Sequence, residues 1–149
     1  MLDFPARLYT TASSAPEILD VFGATLFVLS DGSSVPIVVG EQNVPPGYGV
    51  PTHVHETDDE LFYILDGELT LVTLDGEVDA GPNACVKLPR GVPHGFRNAA
   101  DRPARMLVAL TPGVQGLEMF RHFDRAGRAA RLGPEDIVGI AAQYAVRFA

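Results

Sequence analysis

Between residues 21 and 110 the chain is a succession of short runs of β-branched and aromatic residues, each stopped by Gly, Pro, Asp, Asn or Ser. Runs of this length are too short for helices, and their close spacing restricts the fold to a β-sandwich or β-barrel. Strands are predicted at Val21–Leu29, Val35–Val44, Glu60–Leu65, Leu69–Leu74, Ala84–Leu88, Gly95–Asn98 and Arg105–Leu110. Asp31-Gly32-Ser33-Ser34 separates the first two, and Asp75-Gly76 supplies the positive φ angles of a tight hairpin. Residues Met1 to Leu19, mixed and rich in Thr, Ser, Ala and Pro, read as an arm or loop.

After Pro112-Gly113 the period changes. Leu117, Phe120 and Phe123 fall on one side of a helix and Glu118, Arg121 and Arg125 on the other. Gly133-Pro134-Glu135-Asp136 opens a second helix, with a proline suited to the first turn and acids that complement the macrodipole. Ile137, Ile140, Ala141 and Tyr144 continue it at helical spacing. With 149 residues, no internal repeat and no linker, the chain is expected to be one domain, a barrel core over about 21–111 with a helical extension over about 114–147.

Composition narrows the partners. A formal charge of -8 repels phosphate backbones, and no cluster of Lys or Arg is interleaved with aromatics, so nucleic acid is not expected to bind. The basic stretch Arg121 to Arg131 reads as a solvated helix face. No apolar segment reaches the length of a membrane span, and Asp3 stands where a secretory leader carries positive charge, so a cytoplasmic protein off the membrane is expected. Cys85 is the only cysteine and excludes an intramolecular disulfide or a Cys-based zinc cage; it reads as an inert filler on a strand.

The chemistry is concentrated in two segments, Gly47 to Gly67 and Asn83 to Asn98. On an extended strand His53 and His55 share a face, so both imidazoles can reach one ion, although such a pair is also common as two hydrogen-bonded surface residues. Glu60 follows the acidic turn Glu56-Thr57-Asp58-Asp59 and shares a face with Phe62 and Ile64, while Tyr63 faces the other way, toward a sheet or subunit contact. His94 follows the rigid Pro89-Arg90-Gly91-Val92-Pro93 turn and shares a side with Phe96 and Asn98. Phe62, Ile64 and Phe96 suit pocket walls or plain core. His122 is expected to be solvent-exposed and paired with Glu118 one turn away.

The spacing of Gly47, His53, His55, Glu60 and Gly67 resembles the first cupin motif, and Pro89, Gly91, His94 and Asn98 resemble the second. Asn83 replaces the glycine that opens the second motif, a residue that tolerates the left-handed conformation. The resemblance implies an all-β, double-stranded β-helix (jelly-roll) barrel with C-terminal helices. It implies one divalent transition metal ion (Fe, Mn, Ni, Co or Zn) held by His53, His55, Glu60 and His94, with coordination positions left open for a small-molecule substrate. The wording Val44-Pro-Pro-Gly-Tyr-Gly-Val-Pro-Thr-His53 and Glu60-Leu-Phe-Tyr-Ile-Leu-Asp-Gly-Glu-Leu69 is similar to small bacterial cupins of the quercetin 2,3-dioxygenase-like group. That similarity implies a metal-dependent oxygenase for a small aromatic or enolisable chelating compound, with Glu60 also catalytic as proton acceptor. A non-oxidative isomerase or cyclase and a non-catalytic small-molecule binder are the alternatives. Cupins of this kind are commonly dimers, and the apolar strands near the N-terminus suit a homodimer joined through barrel sheets and exchanged N-terminal arms.

Overall fold

The computed structural model describes residues 16–149, so the predicted arm before residue 16 lies outside the described residues. The described chain forms eleven strands and two helices. One antiparallel sheet contains β1 (Glu17–Val21), β2 (Ala24–Asp31), β3 (Val38–Val44), β10 (Ala104–Thr111), β5 (Asp59–Asp66) and β8 (Cys85–Leu88), in that order. The other contains β11 (Val146–Phe148), β4 (Gly49–His55), β9 (His94–Arg97), β6 (Leu69–Thr73) and β7 (Gly76–Ala80). This is the cupin jelly roll in class, two antiparallel sheets with C-terminal helices.

The strict alternation that makes these segments strands also makes the core. On β3, Val38, Gly40, Gln42 and Val44 are buried while the residues between them are half-buried, and β5 and β10 follow the same rule. Apolar residues from both sheets meet in one cluster, with Phe62 of β5 and Phe96 of β9 in edge-to-face contact at 5.4 Å between ring centres. Asn98 is 1% exposed and acts as a clasp: its amide donates to the Val44 and Arg102 carbonyls, and its oxygen accepts from the Ala100 amide.

Several local expectations change. The run Val21–Leu29 is two strands, β1 and β2, because Phe22 (φ 38) and Gly23 (φ 114) reverse the chain between Val21 and Ala24. Residues 17–19 belong to β1, not to the arm. Tyr63 is half-buried on β5; its hydroxyl donates to the Asn83 side chain at 3.0 Å, and Asn83 takes the left-handed conformation at φ 70. Cys85 lies on a strand as expected but is exposed. A last strand, β11, was not signalled by the pattern.

Helix α1 (Val114–Ala129) packs on β1, burying Leu117, Met119 and Phe123. Its N-terminus is capped from far away in sequence. The buried Asp58 carboxylate accepts the amides of Gly113 at 2.9 Å and Gly116 at 3.1 Å. Arg121 pairs with both Glu17 and Glu118, and Arg128 with Asp124, so two of the four arginines of the basic stretch are spent in ion pairs on the helix surface. Helix α2 (Pro134–Ala142) starts at the predicted proline, and the Asp136 carboxylate accepts the Gly133 amide. His122 is half-buried and sits 3.0 Å from the Tyr144 hydroxyl rather than pairing with Glu118. No helix among the described residues is long and apolar enough to cross a membrane.

Candidate metal centre

Strand β4 carries one extra residue where it pairs with β9: Val50 lies opposite Phe96 and His53 opposite His94, with Pro51 and Thr52 between them on one side and Gly95 alone on the other. The bulged backbone lies directly on Gly95, where any Cβ would meet the Val50 oxygen at 2.8 Å and the Thr52 nitrogen at 3.0 Å. Glycine between His94 and Phe96 is what lets the bulge form. On the far edge of β4, β11 pairs His55 with Val146 and His53 with Phe148.

The four residues nominated by the motifs converge. His53, His55, Glu60 and His94 are all buried, and each offers one donor atom within 4.8 Å of the others. Glu60 Oε2 lies 3.0 Å from His94 Nε2 and 3.4 Å from His55 Nε2. Two ligands bound at about 2.1 Å with a right angle between them would sit about 3 Å apart, so small adjustments bring this set onto one ion. Two of the rings are oriented for it. His53 Nδ1 lies 2.9 Å from the Pro51 carbonyl and His94 Nδ1 3.1 Å from the Val92 carbonyl. A carbonyl only accepts, so Nδ1 carries the proton in both rings and Nε2 is the nitrogen left for an ion; without one, His94 Nε2 donates to Glu60. His55 is held differently: its ring lies parallel to His94 at 5.7 Å, and its buried Nδ1 has no hydrogen-bond partner among the described residues. The donor set, three imidazoles and a carboxylate, fits a divalent transition ion.

At His53 and Glu60 electrostatics favour the protonation states that ligation needs, and at His94 they favour a proton that an ion must displace. Burial, reinforced by His94 and His55, outweighs the pull of Glu60 and brings the His53 pKa down to about 4. Burial would raise the Glu60 pKa, but His55, His94 and His53 together hold it below the usual carboxylate value. Burial acts to lower the His94 pKa, and its hydrogen bond to Glu60 more than offsets this, so it is raised. Glu60 is therefore an anion at neutral pH.

A pocket of about 500 Å³, counted to its open mouth, lies against His53, His55 and Glu60. Its walls include Phe22, Phe96, Phe120, Phe123 and Phe148, and no Lys or Arg lines it among the described residues. Phe62 and Phe96 line it as expected, whereas Ile64 is core. Phe22 stacks near Tyr48 at 5.5 Å and meets Phe123 edge-on at 5.0 Å, and the Tyr48 hydroxyl donates to the Val21 carbonyl. Phe148 and Gln42 were not picked out from the sequence. Gln42 was findable, since it shares inward parity with Val38 and Val44; Phe148 was not, because a three-residue strand carries almost no periodic signal.

The family described as Cupin domain matches residues 40–110. The chain carries a cupin domain. Among curated relatives, polyketide synthase CurC of Streptomyces cyaneus is 36% identical over 72 residues, 45% of this chain and 44% of its own. Quercetin 2,3-dioxygenase of Bacillus subtilis is a distant homologue, 31% identical over 78 residues that make up 52% of this chain and 23% of that one. The chain thus spans less than half the length of either. A sugar phosphate isomerase of the cupin superfamily from Silicibacter pomeroyi is similar in structure, with TM-score 0.56 and 32% identity over 61% of this chain and 60% of that chain. The polyketide cyclase RemF from Streptomyces resistomycificus gives TM-score 0.59 and 26% identity over 71% of this cupin chain and 80% of its own.

Proposed function

We propose that this cupin is a metal-dependent enzyme acting on a small aromatic or enolisable compound that binds the ion through adjacent oxygens, with oxygenation in the manner of the quercetinase-like group as the reaction. The observation that carries the reading is the pairing of a wall rich in aromatic and aliphatic side chains with three of the four donors on one pocket surface. A pocket without lining cations suits an apolar ring system and offers nothing to a phosphate ester.

His53, His55, Glu60 and His94 hold the ion, which when bound acidifies a coordinated hydroxyl and polarises a carbonyl beside it. The chain's own residues do the rest. Glu60 Oε2, ionised and facing the pocket, accepts the substrate's hydroxyl proton, leaving the organic anion electron-rich. Phe96, Phe123 and Phe148 hold the ring plane and keep bulk water from that anion.

Cyclisation without oxygen is the second reading, favoured by the likeness to polyketide cyclase RemF over most of both chains. Metal-loaded protein and an oxygen electrode separate them, with chelating aromatic compounds as substrates. Oxygen uptake matched to product supports oxygenation, product without uptake supports cyclisation or isomerisation, and saturable binding with neither sinks the enzymatic reading in favour of a binding protein.

A further inference from the structure

Gln42 is an anomaly in the pocket. Its neighbours across the ladder are Leu26 and Met106, at 2% and 0% exposure, and Gln42 itself is 6% exposed. It points inward with Val38, Gly40 and Val44 and lines the same pocket as His53 and Glu60. Its side-chain amide makes no hydrogen bond to any described residue, unlike Tyr48, whose hydroxyl is occupied by the Val21 carbonyl. Its polar atoms are not fully enclosed, so the carboxamide opens onto the pocket, where a polar group of a ligand can replace water as its partner.

We infer that Gln42 is a positioning residue that hydrogen-bonds the end of the substrate remote from the metal centre. The inference rests on the reading of the pocket as a site for a chelating aromatic, and it specifies that class further. Glu60 is on β5 and Gln42 on β3, with β10 between them; Glu60 pairs with Leu110, Leu110 with Val38, and Gln42 lies four residues beyond Val38. Two strand spacings of about 4.8 Å and four residues of about 3.4 Å place the two α-carbons roughly 16 Å apart along the sheet. Both side chains reach inward, and the floor between them is apolar, formed by Phe62 and Val108. What remains is of the order of two or three fused or linked rings. The ligand is therefore a rigid, planar, two-ended molecule with an oxygen pair at one end, an apolar middle, and a hydroxyl or carbonyl at the other end that the Gln42 amide can accept from or donate to.

Two flavonols test this. 3-Hydroxyflavone and quercetin share the same hydroxy-ketone chelating pair, and only quercetin carries hydroxyls on its outlying rings. Each is titrated by absorbance and fluorescence into the metal-loaded wild-type protein, Gln42→Leu and the volume-conserving Gln42→Met, with metal content measured on every sample. The expected result is a wild-type preference for quercetin that both variants lose, quercetin weakening by about ten-fold while 3-hydroxyflavone stays within about two-fold and the metal content is unchanged. Equal weakening of both probes, or none, overturns the role of Gln42 while leaving the chelating-aromatic reading standing. If the variants do not fold, the absence of any wild-type preference for quercetin overturns it as well. Failure of the metal-loaded wild type to bind even 3-hydroxyflavone overturns both.

Discussion

Phe148 lies opposite His53 in the β4–β11 ladder, and its ring centre sits 5.6 Å from the imidazole. The C-terminal strand thus braces a candidate ligand from the side facing away from His94. Phe148→Ala is expected to cost roughly 1–2 kcal/mol of stability, below the 3–5 kcal/mol of a fully buried phenylalanine because this one is only half-buried. It should also weaken metal binding by about ten-fold, the scale seen when the support behind a ligand is removed. Chemical denaturation and competition with a metal chelator read the two effects; unchanged metal affinity would mean that His53 needs no brace.

Removing His94 leaves Glu60 without its 3.0 Å partner and takes away one of four donors. Metal analysis of purified His94→Ala is expected to show near-complete loss of the ion, while the wild type co-purifies with a transition metal. Full occupancy in the variant would sink the ligand assignment. Glu60→Gln is the companion change, since it keeps an oxygen donor and the shape but removes most of the basicity. It should retain a reduced metal content and lose turnover by at least about 100-fold, the range of a general base.

Asp58 should be worth more to folding than its place in a loop-like acidic turn suggests. Its buried carboxylate accepts two amides at the start of α1, and Asp58→Ala would leave both donors without an acceptor. The expected loss is roughly 2–4 kcal/mol by urea denaturation. Asp58→Asn, which can still accept with one oxygen, should lose about half as much.

The metal-free protein should respond to pH in opposite directions at neighbouring histidines. The His53 pKa falls from 6.5 to about 4 on folding, so the unfolded chain takes up its proton first and His53 withdraws stability as pH falls from 6.5 toward 4. His94 has a raised pKa, so its contribution is full below 6.5 and is lost as pH rises through the folded value. Glu60, lowered, contributes above 4.5 and loses that contribution as pH falls through its folded value. Imidazole NMR of chelator-treated protein should show His94 titrating above 6.5 and His53 neutral down to about pH 4. A His53 midpoint near 6.5 would contradict the burial argument.

How much of this was readable in the sequence depends on the kind of signal each residue leaves. The clustering of His53, His55, Glu60 and His94 was readable because both motifs set donor residue types at fixed intervals within one stretch of chain. The core strands were readable from their period of two. The first hairpin was hidden because Phe22 occupies a positive-φ turn position that usually advertises itself as Asn, Asp or Gly. Asp58 looked like a solvated charge because its partners, Gly113 and Gly116, are 55 and 58 residues away and offer only backbone amides. His122 was assigned to Glu118 by local spacing, and its actual partner, Tyr144, comes from beyond α2.

The expected homodimer has a surface to use. Among the described residues β1 is an edge strand, and Ile18 on it, with Val35 and Ile37 in the β2–β3 connection, are 51%, 52% and 40% exposed. Light scattering at micromolar concentration should give twice the chain mass, and Ile18→Asp combined with Val35→Asp should reduce it to the monomer. A wild-type monomer would count against the dimer.

The bulge in β4 makes the centre a matter of phase as well as of composition. Val50 and His53 both face the interior, opposite Phe96 and His94, although they stand three positions apart on a ladder whose faces repeat every two. Pair the same strand without the bulge, one residue of β4 against one of β9, and the odd count tells: with Val50 inward, Thr52 and Val54 would occupy the inner face. His53 and His55 would both turn to the outside. Such a chain would keep its hydrophobic strand, its sheet order and every candidate donor in its sequence, yet have only Glu60 and His94 left facing inward. Chains with matching residues can therefore differ in whether they can bind an ion at all, and the bulge between Val50 and His53 is the feature to compare between them.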